Sequence, residues 1–163
     1  KLKAIVVGIE SINDGSDHKM ASSYLDFLVC TLKPNIDREY RTKKNPNNNA
    51  ILGSSNNGLL AFQAVLECPE TFGKAGVFSP SAVENPFIYK LIENSKTLKS
   101  KIYLLCGDSE NETMVTAVNK MERLLDRNRC YCLNLTKKVI VKGGQDNKKL
   151  WQEGFEKAYL WLL

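Results

Sequence analysis

Residues 50–62 read Ala-Ile-Leu-Gly-Ser-Ser-Asn-Asn-Gly-Leu-Leu-Ala-Phe, which predicts a buried strand, a sharp turn and an apolar helix. Ser55 lies at the apex of that turn. Small residues on either side of such a serine let its hydroxyl project above the sheet and let the next backbone N–H face a developing oxyanion. The stretch therefore predicts a nucleophile elbow, although the same string taken alone would also suit an ordinary turn or helix cap.

The spacing of small residues around Ser55 departs from the usual elbow. Gly53 stands two residues before the serine, but Asn57 stands two residues after it, and the glycine follows one position later at Gly58. Asparagine tolerates a left-handed backbone better than most residues. We expect its side chain to crowd the contact between the helix and the strand.

Strands and helices alternate along the chain of 163 residues, which is long enough for one domain with a hydrophobic core. We therefore predict a single α/β domain over residues 1–163, with a mostly parallel sheet and helices on both faces. The first predicted strand is a β-branched run that we expect to be buried on both faces, and the first helix should be interrupted at Pro34. The predicted strands are residues 3–9, 50–53, 74–78, 101–106 and 130–141, and the predicted helices are residues 22–40, 58–67, 87–92, 114–125 and 148–162.

Composition excludes several classes of partner. The net charge is +5, but the lysines come in scattered pairs without aromatic residues between them, which favours a solvated basic surface over a nucleic-acid site. The sequence contains no run of 18 consecutive apolar residues, the length needed to cross a membrane. The cysteines lack the spacing of zinc ligands, and their odd number argues against a disulfide framework. We therefore expect buried, reduced thiols, a cytoplasmic location and no metal or cofactor. The five cysteines are Cys30, Cys68, Cys106, Cys130 and Cys132.

Several motifs, taken in order, resemble the putative-esterase family of α/β-hydrolases. That family includes enterochelin-esterase-like and esterase D-like enzymes and related feruloyl and acetyl-xylan esterases. The similarity extends over residues 3–162, and its motifs are residues 24–28, 32–34, 36–37, 40–42, 50–55 and 78–81. The resemblance implies an α/β-hydrolase-like sheet, a small-molecule ester as substrate, and hydrolysis through an acyl-enzyme on serine.

The resemblance also implies roles for individual residues. Ser55 occupies the nucleophile position, and the backbone N–H of Asn56 occupies an oxyanion-hole position. The family's acid follows a later strand in a Gly-x-x-Glu/Asp turn, which corresponds to Glu110, with Asp108 as the fallback. For either carboxylate, a solvated loop residue or a helix cap is the alternative.

The catalytic histidine of the family is missing from its usual position. The family has a Gly-Gly-x-His-Asn-Glu stretch, whereas residues 143–148 read Gly-Gly-Gln-Asp-Asn-Lys, so Asp146 stands where the histidine belongs. A carboxylate with an ordinary pKa of about 3.9 is a weak base for a serine hydroxyl, and it would repel Glu110. The only histidine, His18, lies in a polar stretch, and we expect it to be a solvent-exposed loop residue rather than a substitute.

Other parts of the family pattern are also absent. The strand and loop with the second oxyanion donor would lie before residue 1, so the resemblance implies a sheet that lacks its N-terminal strands. Such a sheet would expose an edge, and pairing into a homo-oligomer is a hypothesis that follows.

We expect weak or no esterase activity. The alternative is a non-catalytic relative that keeps the pocket to bind a ligand or a partner protein. A nucleotide-binding domain is disfavoured, because residues 53–58 lack the lysine of a P-loop.

Overall fold

A computed structural model describes residues 4–10, 18–81, 86–95, 98–128 and 135–163. Its described strands form one parallel sheet in the order β1 Ala50–Ser54, β2 Lys74–Phe78, β3 Lys101–Gly107 and β4 Thr136–Val141. The described helices are α1 His18–Phe27, α2 Lys33–Glu39, α3 Ser55–Glu67, α4 Pro86–Asn94, α5 Met114–Arg127 and α6 Lys148–Leu162. The prediction of an α/β fold with a parallel sheet is confirmed.

The hydrophobic core lies on both faces of the sheet, and β3 shows how it is divided. Ile102 and Leu104 belong to a large cluster formed with α3, α4 and α5. The alternate residues Tyr103 and Leu105 belong to a smaller cluster formed with α6. Both faces of β3 are therefore covered, which explains why its sequence is almost continuously apolar.

The predicted first strand is wrong for the residues that the structure describes. Residues 4–10 take no part in the sheet, and the side chains of Ile5 and Val6 are 50% and 69% exposed. Lys3 lies outside the described residues. A strand is stable only when its backbone groups find a hydrogen-bonded neighbour. Among the described strands, β1 pairs only with β2, and residues 4–10 neither pair with its other edge nor are buried against it.

The predicted interruption at Pro34 takes another form. The chain stays helical from α1 to α2, and the two are joined by a π-helical turn, Leu28–Leu32, in which the Lys33 N–H donates to the carbonyl five residues earlier. Proline within a helix lacks an N–H and clashes with the carbonyl four residues before it. A π turn changes this local hydrogen-bond pattern, so the helix continues past Pro34.

The described cysteines are free thiols, but only some of them are buried. Cys106 is buried and Cys68 is partly buried, whereas Cys30 is exposed, contrary to expectation. Burial raises the pKa of Cys106 to about 12 and that of Cys68 to about 11, which keeps both thiols protonated and unreactive. Cys130 and Cys132 lie outside the described residues.

The described helices do not include one long and apolar enough to cross a membrane.

The Tyr103 hydroxyl provides a test of the packing on the α6 side of the sheet. Tyr103 is completely buried between Phe78 and Trp161, and its hydroxyl has no hydrogen-bond partner among the described residues. We expect Tyr103→Phe to increase the free energy of unfolding by about 1 kcal/mol, because it removes an unsatisfied buried hydroxyl and keeps the ring. Urea unfolding measures the change, with exposed Tyr40→Phe as the control. A clear loss of stability would show that the hydroxyl is satisfied.

Candidate active site

Ser55 lies in a strained turn between β1 and α3. Its φ is +54°, in the left-handed region that residues other than glycine rarely adopt, whereas Ser54 before it is extended. Such strain persists only where the surrounding structure imposes it. The chain thus changes from strand to helix within one residue at the carboxyl end of β1, which is the local geometry of a nucleophile elbow.

Two glycines permit this turn. A Cβ on Gly53 would lie 2.3 Å from the backbone oxygen of Asn57, and a Cβ on Gly58 would lie 3.0 Å from the carbonyl oxygen of Phe78. The side chain of Asn57 is exposed, so the crowding expected from it is not found. Gly58, rather than residue 57, makes the close contact with β2, and the displaced glycine is therefore compatible with the elbow.

The turn after β2 brings two further serines to the same edge of the sheet. The hydroxyl oxygens of Ser81 and Ser55 are 3.0 Å apart. The Ser79 hydroxyl is buried and donates to Oε1 of Glu110 at 2.7 Å, and the indole Nε1 of Trp151 lies 3.4 Å from the same hydroxyl oxygen. Neither serine was assigned a role from sequence, although polar residues directly after a buried parallel strand are a signal for a site.

Glu110 directs its carboxylate into this polar cluster. Oε1 also accepts the backbone N–H of Gly107 at 2.5 Å, while Oε2 is buried without a partner among the described residues. Burial raises the pKa of Glu110 and the charge of Asp146 adds to the increase, although the hydrogen bonds from Gly107 and Ser79 oppose it. Folding therefore makes the ionised form of Glu110 less favourable than it is in a solvent-exposed glutamate.

Asp108, the alternative candidate for the acid, does not face this polar cluster. Its side chain is exposed, and Oδ1 accepts the backbone N–H of Gly143 at 2.7 Å. This bond joins the turn after β3 to the turn after β4, where a Cβ on Gly107 would lie 2.1 Å from the carbonyl oxygen of Gly144. Asp108 thus ties the two turns together, while Glu110 faces the cluster.

Asp146 lies on the turn that enters α6. Burial raises its pKa, and a hydrogen bond with Trp151 opposes the increase. The structure therefore brings Glu110 and Asp146 within electrostatic range of each other. Ser55 is hydrogen-bonded to Ser81 rather than to either carboxylate, so the connection from Ser55 to Glu110 passes through the turn after β2.

Asn56 and His18 each lie in the first turn of a helix. Asn56 is half-buried in the first turn of α3, directly after Ser55. His18 begins α1, and its side chain is outside what the structure describes. Within the described ranges, no group of three or more His, Cys, Asp or Glu residues is arranged to hold a metal ion.

Comparison with known families gives a match over almost the whole chain. Residues 5–161 match the family described as "Putative esterase". No curated protein matches the sequence.

Several solved structures are similar to the chain, and esterases and a serine hydrolase are among them. One is the enterobactin esterase FES from Shigella flexneri, with a TM-score of 0.74 at 19% identity over 91% of this chain and 42% of that one. The BES protein from Bacillus cereus gives a TM-score of 0.71 at 19% identity over 98% of this chain and 62% of that one. FphF, a fluorophosphonate-binding serine hydrolase from Staphylococcus aureus, gives a TM-score of 0.67 at 16% identity over 86% of this chain and 63% of that one. The chain thus shares their fold and spans less than two thirds of the length of each.

Gly53 tests the close approach at the elbow. We expect Gly53→Ala to lower the free energy of unfolding by about 1–3 kcal/mol, because the new methyl group would collide with the backbone of Asn57. Gly8→Ala is the matched control, since a Cβ there has nothing within 4 Å. Chemical denaturation of both variants measures the difference, and equal stability would contradict the close contact.

Glu110 gives a prediction about pH. Its folded-state pKa is raised above the ordinary value, so the folded state binds the proton more tightly and loses stability as the pH rises through the folded pKa. Glu110→Gln keeps an acceptor for Gly107 and Ser79 but removes the titration. We expect the variant to gain stability relative to the parent between about pH 4 and pH 7, because the ordinary Glu pKa is about 4.3.

Urea unfolding across this pH range tests the prediction, with Glu156→Gln on α6 as the control for loss of an exposed carboxylate. A stability difference that is constant with pH, or that reverses in sign, would contradict it.

Proposed function

The chain belongs to the putative esterase family, and we propose that it carries the site of a serine ester hydrolase with Ser55 as the nucleophile and little or no turnover. The observation that carries this proposal is the left-handed backbone of Ser55 at the junction of β1 and α3. An elbow of this type exposes a hydroxyl and aligns the following N–H groups of the helix with it. The proposed substrate class is a small-molecule carboxylic ester.

The proposed reaction has the two steps of acyl-enzyme hydrolysis. The Ser55 oxygen attacks the ester carbonyl, and the backbone N–H of Asn56 donates to the resulting oxyanion. The alcohol leaves with a proton, and water then hydrolyses the acyl-Ser55 intermediate. The position of Asn56 as the residue after Ser55, at the start of α3, supports its role as a donor.

The weak step is removal of the proton from Ser55. A histidine normally accepts that proton while an acid holds its tautomer. Here the family resemblance puts Asp146 at the corresponding position. A carboxylate has an ordinary pKa of about 4 and is a far weaker base than a neutral imidazole, whose pKa is about 6.5. Asp146 is therefore a poor acceptor for the serine proton, which accounts for the low turnover that we propose.

A second candidate function is that of a non-catalytic binding protein with the esterase fold. The specific observation in its favour is the pair of carboxyl groups, Glu110 and Asp146, in place of an acid and a histidine. Such a protein would bind an ester or a related ligand at the same edge of the sheet without cleaving it.

Hydrolysis of p-nitrophenyl acetate by the parent protein and two variants tests the proposal. We expect the parent to be barely above background and Asp146→His to increase the rate by about 10²–10⁴, the usual contribution of a positioned general base. Adding Ser55→Ala to Asp146→His should abolish the gain. A rate in the histidine variant that does not depend on Ser55 would disprove the assignment of the nucleophile.

Labelling with a fluorophosphonate distinguishes the two candidate functions. A serine hydrolase site should be labelled at Ser55 in Asp146→His, as is implied by the fluorophosphonate-binding hydrolase FphF, which shares the fold. If no label appears even in the histidine variant, the binding function is favoured.

A further inference from the structure

The turn that follows β2 is held in a conformation that its own sequence disfavours. Ser79 has a φ of +42° and precedes Pro80, whose ring restricts the residue before it towards extended backbone. Contacts from neighbouring elements hold it there. The backbone N–H of Ser79 donates to the Leu105 carbonyl at 2.7 Å, and its hydroxyl meets Glu110 and Trp151. Strain that several contacts maintain is typical of functional sites.

The consequence of this turn is the position of Ser81. Two residues after Ser79, its half-buried side chain meets the Ser55 hydroxyl at 3.0 Å. The hydrogen bond links two elements whose contacting residues are 26 positions apart in sequence. Ser55 makes no other side-chain hydrogen bond within the described part of the chain, so Ser81 is the side chain that orients its hydroxyl.

We propose that Ser81 is a catalytic residue that donates a hydrogen bond to the Ser55 oxygen as negative charge develops there, and that Ser79 is the positioning residue that presents it. This inference rests on the proposed function, since it takes Ser55 as the reacting group. Glu110 and Trp151 contact the Ser79 hydroxyl and so help to hold the turn that presents Ser81 to Ser55. This indirect effect on Ser55 needs no histidine.

The chemistry requires no proton transfer to Ser81. A hydroxyl is too weak a base to accept the Ser55 proton, but its O–H can donate to an oxygen that is losing a proton. Hydrogen bonds to charged acceptors are stronger than those between neutral groups. Ser81 would therefore favour the ionised form of whatever nucleophile stands at position 55.

A thiol at position 55 makes this effect measurable without ester turnover. In Ser55→Cys, the rate of alkylation by iodoacetamide, followed by mass spectrometry of the peptide that contains residue 55, reports the thiolate fraction across pH. Adding Ser81→Ala should slow alkylation at about pH 7.5 by about three- to tenfold and raise the apparent pKa of the thiol, because one hydrogen bond to a charged group is lost. Adding Ser81→Thr instead should restore the rate to within about twofold, since the hydroxyl is retained.

Further variants separate the hydrogen bond from packing. Ser81→Thr and Ser81→Val have nearly the same shape and differ in the hydroxyl, so this pair answers the question if Ser81→Ala fails to fold. Ser79→Ala should also slow alkylation of the thiol, as Ser81→Ala does. Ser95→Ala is the control, because its hydroxyl donates to the Leu91 carbonyl on α4 and to no other group among the described residues.

The inference is overturned if Ser81→Ala alkylates as fast as the Ser95→Ala control, or if valine and threonine at position 81 give equal rates. Slow alkylation that threonine alone rescues supports it. Because the thiol assay does not depend on ester cleavage, a failure of the proposed esterase function would appear in the p-nitrophenyl assay and leave this result unaffected.

Discussion

The close approach of two backbones at the carboxyl end of β1 is the constraint on which the site depends. The Asn57 carbonyl occupies the space that a side chain at Gly53 would need, and Gly58 lies against the Phe78 carbonyl of β2. With these contacts, α3 can begin directly at the end of β1 only if Ser55 adopts a left-handed backbone. The position of the Ser55 hydroxyl at the end of β1 is thus a consequence of packing between α3, β1 and β2.

The rest of the site follows from turns at the same edge of the sheet. The turns after β3 and β4 are tied together by Asp108 and by the contact between Gly107 and Gly144, and this places Glu110 beside Asp146. In the function that we propose, these turns would form the site of a serine hydrolase, with Asp146 at the position of the group that normally carries the proton. A change of one ionisable side chain alters the chemistry of such a site far more than the fold, because the close contacts of these turns are made at Gly107 and Gly144 and not at Asp146.

Sequence reasoning succeeded where burial on two faces leaves a clear pattern. The bounds of β2 and α6 agree with the predicted ranges. The buried face of α6 is nevertheless formed by Leu150, Gly154, Ala158 and Leu162, whereas Phe155 is exposed. Sequence reasoning failed at residues 4–10, because a β-branched run indicates a strand only if a neighbouring strand is there to pair with it. It also failed for Asn57, whose side chain points to solvent because Gly58 makes the contact with β2.

The sequence by itself determined the order of strands and helices from β1 to α6 and the position of Ser55 between β1 and α3. These follow from local patterns of apolar and small residues, whereas the assignment of Asp146 to the place of a histidine came from the family resemblance. The tertiary structure alone decided that Glu110 rather than Asp108 faces the cluster, and that Ser79 and Ser81 join Glu110 to Ser55. The physical reason is that these contacts join residues 26 and 31 positions apart, and their geometry depends on how the ends of parallel strands pack side by side.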